Sequence, residues 1–230
     1  RVRGEFPRAG SMQFIPGDVV KECMEADIDK GVYSFQPVVL GVDVARFGED
    51  KSAICVRQGR KVRELKTYRE LDTMTLTGLV TRAIKYWNPV AVFVDGIGMG
   101  AGVVDRLNQL GHSSIVYDVN VSRAATDPRE YFNKRAEIWG KMKDWLKAGA
   151  DIPNDIELEK DLIGIEYGFS GKNQVQLEKK EDMKRRGLNS PDLGDCLALT
   201  FSEDLYEGGF DDEIEDDYYT PEGASSITGY

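Results

Sequence analysis

The chain has 230 residues, 41% of them hydrophobic, which supports one large domain or two small ones with a real core. No apolar run reaches the roughly 18 residues of a membrane span. The net charge of −10 argues against nucleic acid, but ten of the 40 acids fall in residues 202–230, which hold no Lys or Arg; residues 1–201 carry 30 acids and 30 bases and are neutral.

Cys23, Cys55 and Cys196 are scattered, show no zinc spacing and suit a reducing compartment. His112 is the single histidine. His-rich metal sites are thereby excluded, and a Ser-His-Asp triad has one candidate base. A metal here must be held by carboxylates, which suits hard cations such as Mg²⁺ or Mn²⁺.

Residues 1–36 begin abruptly, read as a segment cut from something longer, and show no apolar stretch of the kind a secretory signal needs. Pro16-Gly17-Asp18 starts a short helix with Val19, Val20, Cys23 and Met24 on one face. Residues 38–42 then form an apolar strand that meets a carboxylate, Asp43. A buried carboxylate requires a partner, and no Lys or Arg follows before Arg46 in this stretch. Gly48-Glu49-Asp50 supplies a turn, and residues 52–58 and 61–69 read as two further strands of a meander.

Residues 75–87 carry apolar side chains at helical spacing, and Asn88-Pro89 ends them. Residues 90–94 are a second fully apolar strand, stopped by Asp95. A helix over 100–110 and a strand over 114–119 follow. A meander followed by β-α-β units implies an α/β fold with a mixed sheet covered by helices. Residues 131–147 are an amphipathic helix, and residues 166–177 a hairpin around Ser170-Gly171-Lys172-Asn173. Ser190 as N-cap and Pro191 at the first helical position start a helix over 191–205.

Three acids stand out against apolar surroundings. Asp95 repeats the placement of Asp43, at the carboxyl end of a buried strand, where α/β sheets place their sites. Asp195 sits beside Leu197 and Leu199, and Asp192, three residues earlier, shares its helix face. Each has a structural alternative: Asp95 as a loop cap, Asp192 as ordinary acidic charge at a helix start. Converging acids resist ionisation unless a cation neutralises them. Two divalent ions about 4 Å apart meet that need and drive in-line phosphoryl transfer without a His, Cys or Ser nucleophile.

The set GVDVARFGEDKSAI, AVFVDGIGMGAGVVDRL, YFNKRAEIW and KKEDMKRRGLNSPDLGDCLALTF resembles the nuclease domain of a tailed-bacteriophage large terminase subunit, over about residues 1–203. The resemblance implies an RNase H-like mixed β-sheet flanked by helices. It also implies a metal-dependent endonuclease that cleaves concatemeric double-stranded DNA during genome packaging, with Mg²⁺ or Mn²⁺, two ions, as cofactor. Matched by motif, Asp43, Asp95 and Asp195 are the catalytic metal ligands and Asp192 a helper; Cys196 stands where the family usually has Ala. The family places an ATPase motor ahead of the nuclease. No G-x-x-x-x-G-K-[ST] occurs here, and residues 168–173 have the wrong spacing, so ATPase activity is not expected of this sequence. The implied organisation is a linker segment over 1–36, a nuclease domain over 37–206 and an acidic, disordered tail over 207–230. The implied partners are DNA, a small terminase subunit and the portal protein, in the host cell cytoplasm and without a membrane.

Lys179, Lys180, Lys184, Arg185 and Arg186 lie just before SPDLGD and are candidates for the DNA backbone, interleaved with Glu178, Glu181 and Asp182. Three rival readings remain. Gly96–Ala101 satisfies a weak dinucleotide fingerprint, with Asp118 near the ribose-acid distance, although Asp95 would repel a pyrophosphate. A RuvC-like junction resolvase would share the acids. A non-catalytic module would use the tail, with Phe210, Ile214, Tyr218 and Tyr219 as anchors, to dock a partner.

Overall fold

A computed structural model of the chain describes residues 12–45 and 51–204. The turn expected at 48–50 and the tail at 207–230 lie outside the described residues.

The two Val-rich runs are the centre of the molecule. β1 (Val38–Asp43) and β4 (Ala91–Asp95) lie parallel and adjacent, paired from Val39 with Ala91 to Val42 with Val94. β2 (Ser52–Gln58) and β3 (Lys61–Tyr68) extend the sheet antiparallel on one side, and β5 (Val116–Val119) extends it parallel on the other. The order is β3-β2-β1-β4-β5, the mixed α/β sheet expected from the sequence.

Both faces are covered, which is why these strands read as unbroken apolar runs. Leu40, Val42, Val92 and Val94 meet α3 (Thr73–Trp87) and α4 (Gly100–Leu107) through Leu76, Val80, Val103 and Leu107. Val39, Ala91 and Phe93 face the other layer. That layer holds α1 (Gly17–Glu25), α5 (Lys134–Lys147), α6 (Ile156–Gly164) and α8 (Asp192–Leu199). Alternation then assigns Asp43 and Asp95 to this second face, one residue past the last β1–β4 pair. The short helices α2 (Lys30–Tyr33) and α7 (Lys180–Arg185) and the hairpin β6–β7 (Tyr167–Phe169, Val175–Leu177) complete the fold.

Residues 12–36, expected as part of a linker, build into the body: Phe14, Ile15, Val20 and Cys23 are core residues. Their apolar spacing required a cover, and α5 and α6 supply it.

α8 lies directly on β1. A Cβ on Gly41 would strike the Cys196 carbonyl oxygen, so only glycine permits this approach, and the Cys196 thiol donates to Gly41 O at 3.2 Å. The helix is shorter than its sequence suggests. It begins at Asp192 with Pro191, not Ser190, at the capping position, and ends at Leu199. Thr200 and Ser202 turn their hydroxyls back onto the carbonyls of Leu197 and Leu199, which tightens the chain out of the helix. Arg57 holds this exit: Nε donates to Thr200 Oγ1 and Nη2 to Thr200 O, both at 2.8 Å, while the guanidinium stacks 4.2 Å from the Phe201 ring centre. α5 likewise starts later than expected, at Lys134, because Asn133 caps it by accepting from Ala136 N at 3.0 Å.

Candidate functional site

β1 and β4 end side by side and present Asp43 and Asp95 on the α5–α8 face. The seat of α8 on Gly41 brings Asp192 and Asp195 to the same place. All four acids line one cleft of about 530 Å³, with Arg135, Lys179, Lys180, Phe132 and Asn133 among the other walls. The sequence-predicted acids are therefore brought together from 152 positions of chain, Asp43 to Asp195.

Their electrostatics differ. Asp43 is 6% exposed. Burial raises its carboxyl to about 8; Lys180 opposes that rise, and Asp195, Asp192 and Asp95 reinforce it. Burial also raises Asp95, which Lys180 and an Ile97 N–H at 3.1 Å partly offset. Asp195 goes the other way. Burial disfavours its charge too, but Arg135 and Lys180 outweigh burial and hold it well below the usual carboxylate range. Arg135 Nε donates to Asp195 Oδ1 at 3.0 Å, and Lys180 Nζ lies 2.8 Å from Oδ2. The indole N–H of the fully buried Trp139 donates to Oδ1 at 2.8 Å. Asp192 Oδ2 accepts from Lys51 N at 2.9 Å.

The donor set fits a hard divalent cation. It is all oxygen, partly buried, and short of positive charge at Asp43 and Asp95. Among the described residues no group of three or more His, Cys, Asp or Glu side chains stands close enough together, as placed, to hold an ion. Asp195 is engaged by Lys180 and Arg135 instead.

The expected DNA-facing bases divide. Lys179 and Lys180 line the cleft. Lys184 and Arg185 are exposed on α7 outside its lining, and Arg185 pairs with Asp182 at 2.8 Å. Arg186 is an internal brace, bound to Glu178 at 2.6 Å, to Glu166 and to Gly164 O. The dinucleotide reading loses its footing in the glycines. A Cβ on Gly96 would collide with the Asp118 carboxylate, and one on Gly100 with Asp95 O, so these glycines make room for protein atoms.

Sequence reasoning missed Arg135 and Trp139 as site residues. Their spacing of four on α5 puts both on one face, but nothing local ties either to an acid 60 and 56 residues on, respectively. It also missed α6, whose start is marked by Asp155, which accepts from Glu157 N at 2.7 Å.

A five-stranded mixed sheet with acids at the ends of its two central strands and on the covering helix is an RNase H-like arrangement. Solved structures of that fold match most of the chain. The nuclease domain of the large terminase subunit gp2 of bacterial virus Sf6, a K428A mutant with manganese and beta-thujaplicinol, aligns at TM-score 0.73 and 18% identity, over 81% of this chain and 97% of that one. The large terminase nuclease of thermophilic phage G20c with bound magnesium aligns at TM-score 0.57 and 15% identity, over 73% and 82%. The nuclease domain of Thermus phage P74-26 aligns at 0.58 and 13%, over 84% and 96%. A G20c nuclease structure also holds cobalt. The chain thus has the fold of phage large-terminase nuclease domains. No protein-family model matches it, and no curated protein matches it.

Proposed function

We propose that this chain is a divalent-metal-dependent endonuclease for double-stranded DNA, acting as the nuclease part of a phage packaging terminase. One observation carries the reading: Asp43 and Asp95 end adjacent parallel strands on the face where α8 sets Asp195 and Asp192. The manganese, magnesium and cobalt found with the structural neighbours support Mg²⁺ or Mn²⁺ here; the gathering of four acids in one cleft supports two ions.

Such ions, when bound, supply an activated water and stabilise the leaving oxygen. Asp43, Asp95 and Asp195 would hold them, with Asp192 as a further ligand. Trp139 and Arg135 keep the Asp195 carboxylate oriented. Lys180, already inside the cleft, and Lys179 at its wall present positive charge to a phosphate backbone. Lys184 and Arg185 extend that surface along α7. Binding of this kind is strongly salt-dependent and reads little sequence.

In the same reading residues 37–206 carry the nuclease, the segment 1–36 joins it to an ATPase domain while its residues 12–36 pack onto the nuclease body, and residues 207–230 dock the portal. A small terminase subunit targets the DNA, and the work is done in the host cell cytoplasm. No helix among the described residues is long and apolar enough to cross a membrane.

The test is plasmid nicking by the purified chain with Mg²⁺, Mn²⁺ or EDTA, compared with Asp43→Asn. Cutting that needs metal and disappears in the variant is expected. Undiminished cutting by Asp43→Asn in Mn²⁺ overturns the assignment. A strong preference for four-way junctions over linear duplex would favour a RuvC-like resolvase, and portal binding without any cutting a docking module.

A further inference from the structure

α8 carries two of the four acids in its first turn, yet its capping position cannot do the capping. Pro191 has no side-chain oxygen and makes no capping hydrogen bond. The amides of the second and third helical residues, which an N-cap side chain normally satisfies, are those of Leu193 and Gly194. Asp161, on α6 and 32 residues away, takes both: Oδ2 accepts from Leu193 N at 2.9 Å and from Gly194 N at 3.2 Å. These amides stand between Asp192 and Asp195, whose own N–H makes the first intrahelical bond, to Pro191 O at 2.7 Å.

A second link ties the same helix to the site. Lys51 Nζ bonds both Glu157 oxygens, at 2.8 and 2.7 Å, while Lys51 N donates to Asp192 Oδ2. α6 therefore holds α8 by its backbone through Asp161, and Asp192 by its side chain through Lys51. The seam is close: a Cβ on Gly194 would lie 2.7 Å from the Trp139 ring and 3.3 Å from Asp161 Cβ.

We infer that Asp161 is a positioning residue for the metal site: it caps α8 from outside the helix and so fixes where Asp192 and Asp195 stand. Asp161 is not among the residues that line the cleft. The inference rests on the reading of Asp43, Asp95, Asp192 and Asp195 as metal ligands.

The experiment is calorimetric titration of Mn²⁺ into the metal-free chain, with thermal unfolding in EDTA measured alongside. Asp161→Ala removes the cap. It is expected to weaken Mn²⁺ binding by about tenfold or more, as loss of a residue that orients ligands does. Asp161→Asn keeps an acceptor oxygen and should retain most of the affinity. Asp161→Glu keeps the charge, sets the acceptor one methylene too far, and should weaken binding; it carries the test if the Ala variant fails to fold. Ala or Glu variants that bind Mn²⁺ as tightly as the wild type overturn the inference, even if both melt earlier in EDTA. So does an Asn variant as weak as Ala, since charge and not capping would then be the cause. Failure of the underlying reading looks different: a wild type that binds no Mn²⁺ overturns both, and unaltered binding by Asp43→Asn removes the ligand set itself.

Discussion

Lys180 Nζ sits 2.8 Å from Asp195 Oδ2 inside a cleft walled by four acids. The lysine occupies the electrostatic place that a divalent ion would take, and Asp43 and Asp195 both hold its pKa above the ordinary value against the effect of burial. On the proposed reading of Asp195 as a metal ligand, the ion and Lys180 would compete for it. Lys180→Ala should lower the melting temperature in EDTA, because it leaves the acids without a counter-charge, and enlarge the stabilisation given by Mn²⁺. A metal-induced shift smaller than that of the wild type would show that the lysine helps the ion bind.

Asp43 sets a pH dependence of the metal-free chain. Its folded pKa, about 8, is above the ordinary 3.8, so the folded state holds a proton that the unfolded state has lost. Stability should fall as pH rises from about 4 to about 8, by at most about 6 kcal/mol. Asp195 has the opposite sign: its depressed pKa stabilises the fold above the ordinary value and is lost in acid. Asp43→Asn should flatten this decline between about pH 4 and pH 8 in urea unfolding with EDTA present, while abolishing nicking. A variant whose stability declines between about pH 4 and pH 8 as the wild type's does would exclude Asp43 as the source.

Trp139→Phe keeps an aromatic ring in a fully buried position but removes the N–H on Asp195 Oδ1 together with part of the indole's volume. It should cost roughly 1–3 kcal/mol of stability and reduce nicking at limiting Mn²⁺ more than at saturating Mn²⁺. Equal loss at both concentrations would limit the indole to packing.

Gly41→Ala drives a methyl into the Cys196 carbonyl. The backbone cannot yield as a side-chain tip would, so α8 must lift. Overpacking of this kind costs about 1–3 kcal/mol or more. Nicking should be lost even at temperatures where circular dichroism shows a folded chain. Retained nicking would mean that the acids tolerate a displaced α8.

Deleting residues 207–230 should leave nicking intact or raise it, by removing negative charge that competes with DNA, and should impair portal binding by a full-length protein. A truncated full-length protein that binds portal and packages DNA normally excludes the docking role.

The acids were legible in the sequence because each interrupts a run that has to be buried. Val90 to Val94 leave Asp95 nowhere to go but a strand end, and residues 38–42 do the same for Asp43. Their cationic partners were not legible. Arg135 looks like the polar side of an amphipathic helix, and Lys180 reads as a charge for the DNA backbone and not as a partner of Asp195. Only the tertiary fold brings α5 and α7 to Asp195 on α8, where both charges pair. α6 hid because Glu157, Glu159, Lys160 and Asp161 dilute an apolar stripe of Leu158 and Leu162. Its half-buried carboxylate, Asp161, is raised to about 7 by desolvation and faces backbone amides of a helix that no local pattern connects to it. Ser190-Pro191 misled for a related reason: the start signal was genuine, but the cap arrives from another helix.

The clamp of Arg57 on Thr200 and Phe201 also has a mechanical meaning. A pull applied to the chain beyond Asp204 would load the guanidinium before it loads α8. Asp195 lies more than a helical turn further in. Tension from a partner gripping the chain downstream is therefore expected to stop at Arg57, and the spacing of the acids to stay unchanged while the clamp holds.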